Sequence, residues 1–301
     1  MTKVKLYWNH ICVLHNQEKK FLDDLTKKLE MEDIELEVKY FGLGYGEHMS
    51  EYLAKDESVL PDMIVSADLE VFEDIRIFQK YKDDLYSVRQ WIELEGGAAL
   101  ECVERGEVLL PYLSIPLVYY TNNPEFFEEK SIIDIKSLAF GGRNNSAGKS
   151  LVKAIWSYYG RESVYRMLKG ADISDMPIEA FQRTRIGKTD VSIVPSLYAM
   201  RADEKKSFMR IPKEGPLLIP SYICARRSIP ESIARRIVEA LCEKQWCDFY
   251  ETNGNLLLYP KIAKKNEWCE RKQYFVPSKE WISKTSVEEF YYVYNELVMN
   301  R

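Results

Sequence analysis

The chain has 301 residues, 46% apolar and 13% aromatic, enough to bury cores in two domains of ordinary size. Its 42 basic and 47 acidic residues are interspersed and give a net charge of −5, which argues against a nucleic-acid partner. No run approaches the ~20 apolar residues that span a bilayer, and six scattered cysteines are too sparse to staple a small secreted domain.

Val4–Trp8 is a run of strand formers, and Glu18–Leu29 follows with Phe21, Leu22, Leu25 and Leu29 at helical spacing. The opening MTKVKLYWNH therefore reads as a strand and not as an export leader. Either the chain is native and cytoplasmic from Met1, or it is extracytoplasmic and a leader has been removed. Ile34–Phe41 alternates as a strand, enters the turn Gly42-Leu-Gly44-Tyr-Gly46, and a helix starts near Glu47. Met63–Val65 is a short buried strand behind Pro61 and Asp62. Strands alternating with helices predict a parallel α/β sheet.

Leu109–Tyr120 is an extended run punctuated by Pro111 and Pro116, and Ser137–Phe140 is a strand running into a Gly-Gly loop and a helix from about Ala147 to Tyr159. Val191–Val194 is another strand, and Leu217–Ala225 a second proline-framed run. Ile229–Phe249 reads as one long helix with Ser228 as its N-cap, and Val287–Val298 as an aromatic, amphipathic tail. Cys242 and Cys247 fall inside that helical pattern without the spacing of a zinc or redox pair.

Leu60-Pro-Asp-Met-Ile-Val-Ser-Ala-Asp68, taken in order with the segments that follow it, resembles the strand-to-loop after the third strand in the type II periplasmic-binding-protein family of ABC transporter solute receptors. Leu113-Ser-Ile-Pro-Leu-Val-Tyr-Tyr-Thr-Asn122 looks like its first hinge strand, and Asp134-Ile-Lys-Ser-Leu138 like the segment opening its second lobe. Arg185–Pro195 resembles the stretch ending on an apolar strand, and the helix after Ile229 followed by Phe249–Tyr259 looks like the closing helix. The resemblance covers about 61–260 and implies an α/β fold of two lobes with mixed, largely parallel sheets. Two crossings would form the hinge, with residues 1–115 plus 222–301 in the first lobe and 118–220 in the second. It implies a binding protein, not an enzyme, that captures a small polar or anionic ligand or a metal complex in the inter-lobe cleft for an ABC transporter permease. A cytoplasmic sensing or metal-handling protein, or a biosynthetic enzyme on the same fold, are the alternatives. A monomer is expected, with no cofactor and no nucleic acid.

The candidate ligand-binding residues all fall at strand ends, where open α/β sheets hold their ligands. Trp8, Asn9 and His10 follow the first strand, and Trp8 either stacks on a ligand or fills the core. Ser66 and Asp68 follow Met63–Val65, as ligand contacts, helix caps or both. In Gly141-Gly-Arg-Asn-Asn-Ser-Ala-Gly-Lys-Ser150, Gly142 and Gly148 enclose five residues where a phosphate-binding P-loop requires four. The segment is better read as a loop into a helix N-terminus, presenting Asn144, Asn145 and Ser146, with Arg143 on an acidic ligand or in solvent. Ser196 and Tyr198, and Tyr222 on the second crossing run, complete the set as wall or core. His10, Cys12, His15 and His48 lie together early in the chain and are candidate metal ligands, against a solvated-surface reading.

Overall fold

The strands form where β-branched and aromatic residues cluster, and prolines and glycines set their ends. They are β1 (Thr2–Asn9), β2 (Ile34–Phe41), β3 (Met63–Ser66), β4 (Leu110–Thr121), β5 (Leu138–Gly141), β6 (Asp172–Ser174), β7 (Val191–Pro195), β8 (Phe208–Arg210) and β9 (Leu217–Ala225). The structure, a computed structural model, describes residues 1–42, 44–126, 130–203 and 206–299, apart from the side chain of Cys12. The described residues divide into two compact units. The first comprises Met1–Ser114, Pro220–Gly254 and Leu258–Lys265, and the second Ile115–Ile219, Asn255–Leu257 and Asn266–Arg301. Two of the unit boundaries fall inside β4 and β9, and the others fall after residues 254, 257 and 265.

In unit 1 the strand order is β2-β1-β3-β9. β1 runs parallel to β2, with Trp8 opposite Tyr40 and Asn9 opposite Phe41, and parallel to β3, with Trp8 opposite Val65. β9 returns antiparallel to β3 and places Tyr222 opposite Ser66. The helix His15–Glu30 packs on β2 and buries Leu22, Leu25 and Leu29.

The expected long helix after Ile229 is two helices, Glu231–Leu241 and Lys244–Gly254. Pro230 occupies the N-cap, and Ser228 is not the cap, because its hydroxyl donates to Asp62 Oδ1 at 2.6 Å. The break at Cys242 and Glu243 aims the second helix at the core. There Trp246 stacks on Phe21, with centroids 3.6 Å apart, and on Phe249 at 4.8 Å.

In unit 2 the order is β4-β7-β5-β6, with β8 also on β4. β4 is antiparallel to β7 and β8, while β5 is parallel to β6 and β7. The helices Ser146–Tyr159, Arg161–Gly170 and Pro177–Arg185 flank it.

The tail is placed differently from the sequence-based boundary, which gave residues 266–301 to the first lobe. They cluster with unit 2, because their aromatic rings find partners there. Trp281 meets Trp156, Phe275 meets Tyr158, and Tyr294 donates to the Arg143 carbonyl at 2.6 Å. Among the described residues no helix is long and apolar enough to cross a membrane.

Candidate functional site

The end of β1 carries the most unusual chemistry in unit 1. The β1–β2 ladder continues one residue past the strand, with His10 N–H donating to the Phe41 carbonyl at 2.9 Å. This fixes His10 beside the glycine turn. At Gly42, φ is +113°, and an added Cβ would lie 3.2 Å from the Asn9 amide nitrogen and 3.3 Å from the His10 carbonyl oxygen. Glycine therefore lets the turn lie close against the strand end. The turn brings Tyr45 onto one side of the imidazole, 5.5 Å between centroids, while Tyr40 stacks on it at 4.8 Å and 14°. The Tyr40 and Tyr45 rings are themselves 6.2 Å apart, so the three rings form one cluster, in which His10 is only 6% exposed.

Beneath it sits Glu18, fully buried on the first turn of His15–Glu30. Its Oε2 accepts from Ile11 N–H at 2.9 Å and its Oε1 from the Tyr250 hydroxyl at 2.6 Å. His10 Nδ1 lies 2.9 Å from Oε2. An ionised carboxylate only accepts, so Nδ1 carries the hydrogen and the opposite nitrogen, Nε2, defines what the ring offers. Nε2 is a lone-pair acceptor in the neutral imidazole and a donor in the imidazolium. It is buried and has no hydrogen-bond partner. Burial, reinforced by the charges of Asp23, Tyr45 and Glu18, pushes the Tyr40 phenol up to about 12, and burial likewise raises Tyr45. Both stay neutral donors at ordinary pH.

Trp8 and Asn9 separate from His10 in role. Trp8 is fully buried, with its ring 6.2 Å from that of Trp246, so it fills the core. Asn9 is half-buried at the strand end. Ser66 and Asp68 are spent internally: Ser66 Oγ accepts from Asp68 N–H, and Asp68 Oδ2 accepts from Ser50 N–H at 2.9 Å, capping the helix Met49–Ala54. Tyr222 is buried, donates to the Val103 carbonyl at 2.5 Å and meets Phe72 edge-on.

Of the early metal candidates, His15 is exposed with its ring 6.2 Å from that of His10, and the His48 backbone N–H donates to Glu51 at 3.1 Å. The Cys12 side chain lies outside the described residues. Among the described residues no three His, Cys, Asp or Glu side chains converge as a metal-ligand set. A depression of about 460 Å³ elsewhere in unit 1, rimmed by Trp91, Ile92 and Ile262, includes none of the strand-end residues.

In unit 2 the loop after β5 leads into the 14-residue helix Ser146–Tyr159, which Asn145 caps by accepting from Ala147 N–H at 2.9 Å. Asn144 and Ser146 are half-buried beside it. Arg143 donates through Nη2 to the Ile173 carbonyl, and its buried Nε makes no hydrogen bond but lies 3.5 Å from Asp175 Oδ1 as an ion pair. A helix N-terminus next to a guanidinium favours negative charge. Ser196 and Tyr198 are core: Ser196 Oγ donates to the Asn255 carbonyl, and the Tyr198 ring stacks with Phe181.

The sequence reading named His10 and Asn145 but missed Glu18, Tyr40 and Tyr45. An acidic residue on the first turn of a helix eight positions after a strand-end histidine is the signal that would have found Glu18.

No family model matches the chain, and no curated protein matches it. Its structure is similar to iron-bound HitA from Pseudomonas aeruginosa, with 14% identity, 99% of each chain covered and a TM-score of 0.70. It is similar to a two-component system protein that mediates signal transduction, with 14% identity, 97% and 100% coverage and a TM-score of 0.67. The substrate-binding domain of a molybdenum ABC transporter from Clostridium difficile is also similar, with 13% identity, 87% and 99% coverage and a TM-score of 0.54. The chain thus has the two-lobed α/β fold of the type II periplasmic binding proteins.

Proposed function

We propose that the chain is a solute-binding protein that captures a small polar or anionic ligand, or a metal complex, and hands it to an ABC transporter. The observation that carries this reading is the buried Nε2 of His10, without a hydrogen-bond partner, on a ring held by Glu18 and clustered with Tyr40 and Tyr45. A buried polar atom without a partner costs free energy unless something occupies it. An imidazole nitrogen beside neutral phenols suits a metal-complex or oxyanion ligand. In unit 2, the Asn145-capped helix N-terminus with Arg143 offers a second group for negative charge. Binding is favoured over catalysis because burial pushes the Cys224, Cys242 and Cys247 thiols up, the opposite of an activated nucleophile.

A thermal-shift screen over ferric and other metal salts, molybdate, phosphate, amino acids, polyamines and tetrapyrroles tests the reading. At a hundredfold excess over Kd, a true ligand stabilises by about 2.7 kcal/mol, which is several degrees in Tm. The shift should vanish in His10→Ala. A ligand whose full shift survives in both His10→Ala and Arg143→Gln removes this site assignment.

The likeness to a signal-transduction protein supports a second reading, a ligand sensor. Ligand-dependent stimulation of an ABC transporter's ATPase supports the first reading, and ligand-dependent association with a histidine kinase the second.

A further inference from the structure

Unit 2 carries a second cationic site, separate from the strand-end groups. After β8 the chain turns through Ile211, Pro212, Lys213 and Gly215, and the later segment Arg271–Gln273 lies against this turn. Two backbone hydrogen bonds, Phe275 N–H to the Pro216 carbonyl and Leu218 N–H to the Phe275 carbonyl, both 3.0 Å, fasten the segments. Gly215 makes the approach possible: its φ is +89°, and an added Cβ would lie 2.3 Å from the Gln273 carbonyl oxygen. The pocket between the segments has a volume of about 340 Å³.

Its chemistry is one-sided. Three of its lining side chains, Lys213, Arg271 and Lys272, are cations, and none is a carboxylate. Glu214, within the turn, points away: it is buried and accepts from Tyr159 O–H at 2.6 Å, from Ser131 O–H and from Ile132 N–H at 3.3 Å. Among the described residues no ion pair joins Lys213, Arg271 or Lys272 to an acidic group. Arg271 is half-buried, its guanidinium carbon 5.6 Å from the Trp268 ring, and its Nε is buried with no hydrogen-bond partner. A partly desolvated guanidinium without an acceptor is a common mark of an absent anion or water. Three uncompensated positive charges around one pocket decide for the anion.

We infer that this pocket is an oxyanion site for a phosphate-bearing ligand. Arg271 supplies the planar donor fork, and Lys213 and Lys272 act as point charges. The phosphate is either a free ion or part of an anionic lipid headgroup.

The test uses the full chain and the Arg271→Gln and Lys272→Gln variants, with His10→Ala as a control for the unit 1 site. Inorganic phosphate binding is followed by 31P line broadening and calorimetry. Binding to vesicles of 30% phosphatidylglycerol in phosphatidylcholine is followed by sedimentation. A free-ion site predicts phosphate binding that weakens about tenfold or more in Arg271→Gln and is unchanged in His10→Ala. A headgroup site predicts vesicle binding with the same dependence. Melting curves of both variants matching the parent exclude unfolding as the cause, and should Arg271→Gln not fold, Lys272→Gln carries the comparison. The inference is overturned if neither probe binds, or if binding is the same in Arg271→Gln and Lys272→Gln as in the parent. Loss of binding only in His10→Ala would overturn it too, while leaving the proposed solute site in place.

Discussion

Replacing Glu18 by Gln is the most informative change in unit 1, because it keeps the shape and removes one acceptor. The carboxylate is fully buried and receives hydrogen bonds from Ile11 N–H, His10 Nδ1–H and Tyr250 O–H. The amide has one acceptor oxygen, enough for Ile11 N–H and His10 Nδ1–H, and its NH2 then meets the Tyr250 hydroxyl, which must give up its own donation and turn to accept. A buried donor without a partner costs about 1–3 kcal/mol, and hydrogen bonds to a charged group contribute about 1.5–3 kcal/mol each. Relief from holding a buried charge offsets part of the loss. We expect a net destabilisation of about 2–4 kcal/mol.

Urea unfolding followed by tryptophan fluorescence reads it, since Trp8 and Trp246 are both buried in this unit. With a slope of about 3 kcal/mol per molar, the midpoint should fall by about 1 M. Tyr250→Phe should cost less in the Glu18→Gln background than in the parent, because the hydroxyl then loses its charged acceptor. Histidine 15N shifts should show the hydrogen on His10 Nδ1 in the parent and a mixed tautomer in the variant. A variant within about 0.5 kcal/mol of the parent, with Tyr250→Phe equally costly in both backgrounds, would refute the account of Glu18 as a charged hub.

Three further outcomes are expected. Burial raises the Cys224 and Cys247 thiols from 9.0 to about 12, so both stay protonated in the fold above the pH at which the unfolded chain ionises. Their contribution is full below about pH 9 and lost as pH rises towards 12; a urea midpoint that holds steady from pH 8.5 to 11 would contradict this. Asn145→Ala removes the cap on Ala147 N–H and should cost about 1 kcal/mol by thermal unfolding. Trp8→Ala empties a fully buried site and should cost about 3–5 kcal/mol; a near-neutral result would return Trp8 to the ligand-facing reading.

What was legible in the sequence was local. Apolar alternation in Ile34–Phe41, the helical spacing of Leu22, Leu25 and Leu29, and the proline-framed runs at β4 and β9 all report on near neighbours along the chain, and the structure forms strands and a helix there. What stayed hidden depends on partners distant in sequence. Glu18 looks like an ordinary acidic residue in a helix's first turn, and its burial follows from Tyr250, 232 positions away. Tyr45 reads as turn filler until the glycine turn sets it over His10. The single helix expected across Cys242 breaks because Trp246 and Tyr250 have places to fill on β1 and Glu18, which helical periodicity cannot register.

The boundaries inside β4 and β9 also bear on how the chain is made. Unit 1 has its first strands at residues 2–9 and 34–41, yet it needs β9 beside β3 and the Tyr250 hydroxyl on Glu18. During synthesis, the early strands must wait until about 250 residues have been added before their last neighbours emerge. At ~5–20 residues per second, that interval lasts roughly ten seconds or more. Unit 2 also waits, since its aromatic tail follows residue 266. Such long-range closure is intrinsically slow, and it leaves the edge of β3 open to chaperones or to mispairing. Fragments ending before β9 should therefore be the species that aggregate.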